Sequence, residues 1–303
     1  MLNNYLLKNL IGAGTYGDIK LAFDKVNKKD VAIKIIKIFN LNKSTIKMII
    51  NEILIGYFNN CEYLVKIIDF FIKGNIVYLV MPFYNQIDYK NYTRNHNKNS
   101  SSKIELILRI LLGIQYLHVN KIIHRDIKID NIMMNNNLSF LGDFGICNIL
   151  PENKYFASTC IGTPYYLSPE IIEGNNYNTK VDIYSLGCML CEIFYNKPPY
   201  TGKNIYLLYK NVIKSNKCID INNNIFIDSL INKMIKKNSI NRPLINEIIE
   251  LYTNNYNLKY KLYRKDIFFS EIIRTKFKNV SNIDDLNFIF TEIKKLKNNN
   301  NIL

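Results

Sequence analysis

The chain has 303 residues, of which 48% are hydrophobic, and this is enough to bury the core of one large domain or two small ones. Its net charge of +15 comes from Lys residues spread along the chain without a nucleic-acid recognition motif, so a specific nucleic-acid partner is not expected. The most apolar stretch, residues 104–117, is interrupted by Glu105 and Arg109 and is too short to span a bilayer.

The N-terminal segment and the cysteines indicate where the protein resides. The first residues, MLNNYLLKNL, lack a charged n-region and a long apolar run, so they do not predict a signal peptide. Cys188 and Cys191 lie three residues apart in an apolar stretch, which suits buried free thiols rather than a zinc site. We therefore expect a soluble protein of the cytoplasm, or alternatively of the nucleus, without a membrane partner.

In chain order, the pattern of apolar residues changes from strands to helices. Residues 5–38 predict β-strands joined by hairpins, residues 44–58 predict a helix with Ser44 as its N-cap, and residues 64–81 predict further strands. The later helices are predicted at 104–119, 179–195, 204–214, 225–237 and 243–252. A strand-rich part followed by a helix-rich part predicts two lobes.

Three polar stretches predict loops or tails, at residues 95–103, at 220–224 and in the Asn-rich end of the chain. Residues 253–303 retain several Phe and Ile residues, and we expect a short, partly helical tail that ends in a disordered Asn-rich stretch. This tail lacks sustained heptads, so coiled-coil dimerisation is not expected, and the protein should be a monomer or a transient dimer.

A glycine motif lies in the first predicted hairpin. Gly12, Gly14 and Gly17 form G-x-G-x-x-G, and glycines allow a backbone to approach a phosphate closely. A dinucleotide site would continue into a helix. Here IKLAFD continues as a strand, which favours a glycine-rich hairpin that lies over a nucleotide.

Polar groups cluster in two later stretches. IHRDIKIDN, residues 123–131, contains His124, Arg125, Asp126, Lys128 and Asn131. LGDFGI then places Asp143 twelve residues after Asn131. Phosphoryl transfer needs a metal to neutralise phosphate charge and a carboxylate to orient the attacking hydroxyl, and the oxygens of Asn131 and Asp143 suit Mg²⁺. These stretches resemble the catalytic-loop pattern H-R-D-L-x-x-x-N, with Ile127 for Leu, and the DFG motif of protein kinases, and it is this resemblance that implies phosphoryl transfer.

With the glycine motif, VAIK, HRD-x4-N and DFG in this order, residues 5–252 resemble the eukaryotic protein kinases. SPE at 168–170 replaces the usual A-P-E, and DIYSLGC at 182–188 has Tyr184 for Trp. TCIGTPYYLSPE and LGDFGI resemble the NIMA-related (NEK) kinases. The resemblance implies an α+β bilobal kinase fold over residues 1–252. Its N-lobe, about 1–82, would hold a five-stranded antiparallel sheet plus helix C, and its C-lobe, about 83–252, would be mostly helical.

The resemblance implies a serine/threonine kinase that transfers the γ-phosphate of ATP to protein substrates. In such an enzyme Asp126 accepts the hydroxyl proton and Lys128 neutralises the γ-phosphate. Thr163 would hydrogen-bond both Asp126 and Lys128, and it is also a turn residue before Pro164.

The resemblance also implies how ATP and Mg²⁺ are held. Lys34, at the end of VAIK, would bind the α- and β-phosphates and pair with Glu52. The alternative for Glu52 is that it is an ordinary solvent-exposed charge on its helix. Asn131 and Asp143 would be the metal ligands. The hinge would follow the gatekeeper Met81. The remaining implied nucleotide contacts are Ile11, Gly12, Gly14, Gly17, Ile19, Ala32, Pro82, Tyr84, Asp88 and Met133.

Two hinge and regulatory features are implied as well. Pro82 lacks a backbone N–H but keeps its carbonyl, which can still accept a hydrogen bond from adenine, while the backbone N–H of Tyr84 donates one. Arg125 would pair with a phosphate on the activation segment, where Ser158 and Thr159 are available and Thr159 aligns with the usual activating threonine. That phosphate would come from the kinase itself or from an upstream kinase.

The structural residues implied are Asp182 and the buried ion pair of Glu170 with Arg242. Gly56 departs from the family pattern, because kinases usually carry a bulky apolar residue four positions after the helix Glu. It leaves a gap that Ile55 or Phe58 would fill.

Two other functions are open alternatives. A weakly active kinase or pseudokinase scaffold that binds nucleotide predicts loss of Lys34, Asp126, Asn131 or Asp143, and all four are present. A basic nucleic-acid-binding protein predicts a clustered basic patch with aromatic stacking residues, which the sequence lacks. A cell-cycle or microtubule-linked role follows only from family analogy.

Overall fold

The computed structural model describes residues 2–14, 17–39, 41–84, 101–135, 138–150, 162–214, 224–266 and 285–300. The strands are β1 (Tyr5–Gly14), β2 (Gly17–Asp24), β3 (Lys29–Lys37), β4 (Asp69–Lys73), β5 (Ile76–Pro82), β6 (Ile122–Ile123), β7 (Ile132–Asn135), β8 (Leu138–Leu141) and β9 (Asn148–Ile149). The helices are α1 (Lys43–Phe58), α2 (Ser101–Val119), α3 (Pro169–Ile172), α4 (Lys180–Tyr195), α5 (Ile205–Lys214), α6 (Ile225–Met234), α7 (Ile245–Tyr256) and α8 (Asp285–Asn300).

The chain divides into two compact units, one of Met1–Asn85 with Ile267–Leu303 and the other of Gln86–Asp266. The first contains a five-stranded antiparallel sheet in the order β1-β2-β3-β5-β4, as predicted. Alternation along β3 gives this sheet its two faces, because successive side chains of a strand point in opposite directions. Val31 and Ile33 enter one buried cluster, while Ala32 and Lys34 lie on the other face.

The glycine motif lies in the β1–β2 hairpin, and a strand follows it, as the sequence predicted. Gly12 pairs with Ile19 and Gly14 with Gly17. A Cβ on Gly17 would lie 2.0 Å from the carbonyl oxygen of Ile35, so only glycine fits where β2 approaches β3.

Helix α1 begins one residue before the predicted range, and its cap is not the predicted one. Asn42 is the N-cap, because its Oδ1 accepts a hydrogen bond of 2.9 Å from the backbone N–H of Thr45. Ser44 lies inside the helix and donates its hydroxyl to the same oxygen over 2.6 Å. The prediction of Ser44 as N-cap was therefore wrong.

The space beside Gly56 is filled, but not by Ile55 or Phe58 as expected. A Cβ on Gly56 would lie 2.7 Å from Cγ1 of Ile67 and 2.8 Å from its Cδ1. The backbone N–H of Ile67 also donates to the carbonyl of Gly56 over 2.9 Å. Ile67 is 3% exposed, so this side chain occupies the volume that a larger residue at position 56 would take.

The C-terminal tail contributes to both units. Residues up to Asp266 belong to the second unit, where the side chain of Gln115 exchanges two hydrogen bonds of 3.0 Å with the backbone of Tyr263. Helix α8 belongs to the first unit and continues through Asn300. Part of the Asn-rich end is therefore helical where disorder was predicted, because the preceding apolar residues of α8 are buried and their packing stabilises the helix.

The second unit is built around two buried helices. Helix α2 packs against α7 and β8, and α4 packs against α6. The later helices are found where the sequence predicted them, with ends shifted by a few residues, and α2 begins at Ser101 inside a predicted loop. Cys188 and Cys191 are buried free thiols of α4, as expected. Among the described residues, no helix combines the length and apolarity needed to cross a bilayer.

Candidate active-site residues

The first unit places an ion pair on one face of its sheet. The Nζ of Lys34 on β3 lies 2.6 Å and 2.8 Å from the two carboxylate oxygens of Glu52 on α1. Both side chains are almost fully buried, with 7% and 8% exposure. A buried charge needs a partner of opposite sign, so each of these groups fixes the position of the other.

The predicted adenine contacts of this unit share that face. Ile19 pairs across β2 and β3 with Lys34, and Met81 pairs across β5 and β3 with Ala32. Directly paired residues of antiparallel strands point to the same side of a sheet. The register therefore groups these apolar side chains with Lys34, and Gly12 joins them through its pairing with Ile19. Ile11 lies beside Gly12 on β1.

The hinge prediction falls at the end of β5. Pro82 is the last residue of this strand and pairs with Val31, a terminal position that tolerates the missing N–H. Tyr84 is partly exposed, and burial raises the pKa of its phenol to about 12. Asp88 lies outside the described residues.

In the second unit, Asp182 anchors the loop that precedes Asp126. Its carboxylate is fully buried on α4 and accepts hydrogen bonds from the backbone N–H groups of His124, over 2.9 Å, and Arg125, over 2.8 Å. The Nε2 of His118 lies 2.8 Å from the same carboxylate. The loop is thus attached to a core helix, which is how a surface loop acquires a fixed geometry.

His124 ties this loop to the residue before Asp143. Its Nε2 lies 3.0 Å from the carbonyl oxygen of Gly142, and its Nδ1 accepts from the backbone N–H of Asp126 over 3.3 Å. Because a carbonyl can only accept, the proton belongs on Nε2. The ring also meets that of Phe144 edge to face, with centroids 5.9 Å apart.

Three side chains, those of Thr163, Lys128 and Asn131, contact the carboxylate of Asp126. Thr163 donates its hydroxyl to Oδ1 over 2.6 Å, and the Nζ of Lys128 lies 2.7 Å from Oδ2. The Nδ2 of Asn131 donates to Oδ2 over 3.0 Å, and Lys128 also donates to Thr163 over 2.9 Å. Burial acts to raise the pKa of Asp126, but the hydrogen bonds from these three donors outweigh it, and the pKa lies below its ordinary value. Asp126 is therefore an ionised acceptor at neutral pH.

The predicted metal ligands supply hard oxygen donors. The Nδ2 of Asn131 is committed to Asp126, with a second bond of 2.7 Å to its carbonyl oxygen, so the amide oxygen points the other way. Asp143 is partly exposed and has a φ of +59°, a region that non-glycine residues rarely occupy and that clusters at functional sites. An amide oxygen and a carboxylate are a donor set that fits Mg²⁺. Met133 lies on β7, paired with Phe140.

Arg125 has a φ of +70° and directs its guanidinium at the start of the segment after Asp143. Its Nε donates to the carbonyl of Ile146 over 2.5 Å, and its NH2 donates to that of Cys147 over 3.4 Å. NH1 donates to the hydroxyl of Tyr177 over 3.1 Å. Thr159 and Ser158 lie outside the described residues.

Glu170 and Arg242 form a bidentate ion pair in the second unit. NH1 and NH2 of Arg242 lie 2.6 Å and 2.7 Å from the two carboxylate oxygens. The guanidinium also donates to the carbonyls of Lys236, Lys180 and Lys237 and lies over the ring of Tyr184. Arg242 is 2% exposed, so this planar group is fully satisfied in the interior.

Sequence reasoning missed three residues that support these clusters. His118, which contacts Asp182, had a usable signal, since it is a lone His in the last turn of an apolar helix. Tyr177, which contacts Arg125, and Ile67, which fills the space beside Gly56, had none, because each contact joins positions that are distant in the sequence or set by backbone geometry.

Comparison with known proteins agrees with these clusters. Residues 5–252 match the protein kinase domain, and the chain belongs to the protein kinase family. It is similar to the serine/threonine-protein kinase Nek5 of Homo sapiens, with 31% identity over 255 residues that cover 82% of this chain and 36% of Nek5.

Other relatives lie within and outside the NIMA-related group. The chain is 26% identical over 272 residues to the serine/threonine-protein kinase Nek11 of Macaca fascicularis, covering 86% of this chain and 42% of the relative. It is 34% identical over 214 residues to the serine/threonine-protein kinase STE20 of Yarrowia lipolytica, and the match covers 68% of this chain and 19% of that relative. The predicted resemblance to NIMA-related serine/threonine kinases is confirmed. The chain spans less than half the length of these relatives.

Proposed function

We propose that this chain is an active serine/threonine protein kinase, and that the hydrogen-bond cluster around Asp126 carries its chemistry. The protein kinase domain implies ATP as the phosphate donor and typically Mg²⁺. Protein Ser and Thr hydroxyls are the acceptors. The observation that supports this most directly is an ionised, buried carboxylate held by a Lys, a Thr and an Asn, as transfer to a hydroxyl requires.

Each group then has a role in that transfer. Asp126 orients the substrate hydroxyl and accepts its proton, while Lys128, next to it, neutralises charge on the transferred phosphoryl group. Thr163 holds both side chains in place. Lys34, fixed by Glu52, binds the α- and β-phosphates of ATP. These roles need no covalent bond to the protein.

The remaining roles concern nucleotide and metal. Asn131 and Asp143 would hold Mg²⁺, which supplies positive charge to the phosphates when it is bound. Gly12, Gly14 and Gly17 present backbone to the phosphates. Ile11, Ile19, Ala32 and Met133 contact the adenine, Pro82 and Tyr84 bind its edge through the backbone, and Asp88 meets the ribose.

The experiment that tests the proposal is transfer of labelled γ-phosphate from ATP with Mg²⁺ to casein. We expect incorporation into Ser and Thr by the purified chain. Binding of ATP, measured as a thermal shift, without any transfer before or after treatment with an activating kinase would instead favour the nucleotide-binding scaffold.

Thr163 offers a test of how Asp126 is tuned. Thr163→Val removes a donor that lowers the pKa of Asp126, so this pKa should rise and the acid limb of the kcat/KM profile should move to higher pH. At neutral pH we expect kcat to fall about tenfold or more, the usual effect of losing a hydrogen bond to a charged group. The measurement is kcat/KM against pH, with Thr163→Ser, which keeps the hydroxyl, as the control. A profile of Thr163→Val identical to that of the control would contradict this role.

We propose further that phosphorylation of Thr159, by the kinase itself or by an upstream kinase, activates the protein. The support is Arg125, whose guanidinium already lies among polar groups of the segment after Asp143 and would pair strongly with a phosphate. We expect phosphatase treatment to lower kcat about tenfold or more, because a hydrogen bond to a charged group such as a phosphate contributes about 1.5–3 kcal/mol. Thr159→Ala should match the treated wild type and Ser158→Ala should not. Full activity of freshly isolated Thr159→Ala would contradict the proposal.

The proposal extends to the cellular location and the oligomeric state. We expect a cytoplasmic protein, with the nucleus as the alternative, that works as a monomer or transient dimer on protein substrates. A cell-cycle or microtubule-linked role rests on analogy with the NIMA-related kinases alone.

A further inference from the structure

Helix α8 is an integral part of the first unit. Its buried side chains recur at helical spacing and form one apolar face, with exposures of 0% to 6%: Leu286, Ile289, Phe290 and Ile293. Phe288, on the opposite side, is 70% exposed. A tail segment with a fully covered apolar face is folded onto its unit rather than attached loosely to it.

The partner of this face includes strand β4. The ring of Phe290 meets that of Phe70 edge to face, with centroids 4.9 Å apart and an interplanar angle of 88°. One turn further on, the Nζ of Lys294 lies 2.6 Å from Oδ1 of Asp69 and 5.0 Å from the centroid of Phe70. An apolar, an ionic and a cation–π contact therefore meet at two adjacent residues of β4.

Phe70 also contacts α1. Its ring is fully buried and meets that of Tyr57 edge to face, with centroids 4.9 Å apart. Tyr57 lies in the last turns of α1, next to Gly56 and five residues after Glu52. A glycine in the interior weakens a helix, so contacts at this end of α1 are a means of stabilising the helix that carries Glu52, the partner of Lys34.

We propose that α8 is an intramolecular brace for α1. Through Phe70 and Tyr57, Phe290 and Lys294 keep Glu52 in contact with Lys34, which makes Phe290 a positioning residue for phosphate binding. The tail thereby contributes to phosphate binding by the kinase. The inference rests on the proposed roles of Lys34 and Glu52.

The test compares Phe290→Ala with Phe288→Ala in the full chain. For Phe290→Ala we expect hydrogen exchange of the α1 amides to become faster, while exchange in β2 and β3 is unchanged. We expect kcat/KM for ATP to fall about threefold to tenfold, the effect of losing one aromatic contact. Phe290→Leu should recover part of this, and Phe288→Ala should match wild type.

A second arm separates positioning from general stability. In a Glu52→Gln background, Phe290→Ala should cause no further loss of kcat/KM, because the contact that it positions is already weakened. Unchanged α1 exchange in Phe290→Ala, or an equal loss of kcat/KM in both backgrounds, would overturn the proposal. Hydrogen exchange does not depend on turnover, so a chain without kinase activity would refute the proposed function while leaving the brace testable.

A variant at the rim of the contact covers the case in which Phe290→Ala does not fold. Lys294→Ala removes the pair with Asp69 at a position where both side chains are 28% to 29% exposed, so the unit should remain folded. We expect a smaller rise of α1 exchange than for Phe290→Ala, and none for the neighbouring Lys295→Ala. Equal exchange in these two lysine variants would also count against the brace.

Discussion

Replacing Asp126 by Asn is expected to lower kcat by about a hundredfold to ten-thousandfold, the range that a positioned proton acceptor contributes. The amide has the shape of the carboxylate, so it leaves the loop anchored by Asp182 and His124 in place. The amide cannot take up the hydroxyl proton, and the substitution removes the negative charge that pairs with Lys128. The measurement is steady-state phosphate transfer from labelled ATP.

The matched control for Asp126→Asn is Glu105→Gln, which neutralises an exposed carboxylate on helix α2 of the same unit. We expect its kcat to equal that of wild type. Nucleotide binding should be retained in Asp126→Asn, because the role proposed for Asp126 concerns the acceptor hydroxyl rather than ATP. Transfer by Asp126→Asn at the rate of Glu105→Gln would show that another group accepts the proton and would remove the main support for the proposed mechanism.

The largest effect on stability is expected at the ion pair of Glu170 and Arg242. Glu170→Ala leaves the guanidinium of Arg242 buried without a counter-charge, in contact with carbonyl groups and the ring of Tyr184, and breaking a buried pair from one side typically costs about 3–5 kcal/mol. The measurement is the free energy of unfolding from urea titration. Glu173→Ala, at an exposed carboxylate three residues further on, should change it by less than about 0.5 kcal/mol.

Joint replacement of the pair separates its charge from its packing. In Glu170→Leu with Arg242→Met both charges are removed, and apolar side chains of similar length fill the space, so we expect more than half of the loss to be recovered. A double variant less stable than Glu170→Ala alone would mean that the hydrogen bonds from Arg242 to the carbonyls matter more than its pairing with Glu170.

The sequence was sufficient to predict the candidate site where its residues lie in short, contiguous motifs. Asp126, Lys128 and Asn131 lie within six residues of each other in one motif, and the resemblance of VAIK to the kinase motif implied the contact of Lys34 with Glu52 that the structure contains. The local competition for a helix cap was harder to judge, because Asn42 and Ser44 are both good caps and only backbone geometry chose Asn42. Contacts between distant segments, such as Phe70 with Phe290, leave no periodic signal at all.

The packing of Ile67 against Gly56 also constrains how this chain can change. A methyl group at position 56 collides with Ile67, so that substitution is costly while Ile67 is present. A smaller residue at position 67 would open the space, at the cost of a cavity for as long as position 56 remains glycine. Each change is harmful alone and acceptable with the other, so the two positions are epistatic. A larger residue on this turn of α1 is therefore expected to be tolerated only together with a smaller residue at position 67.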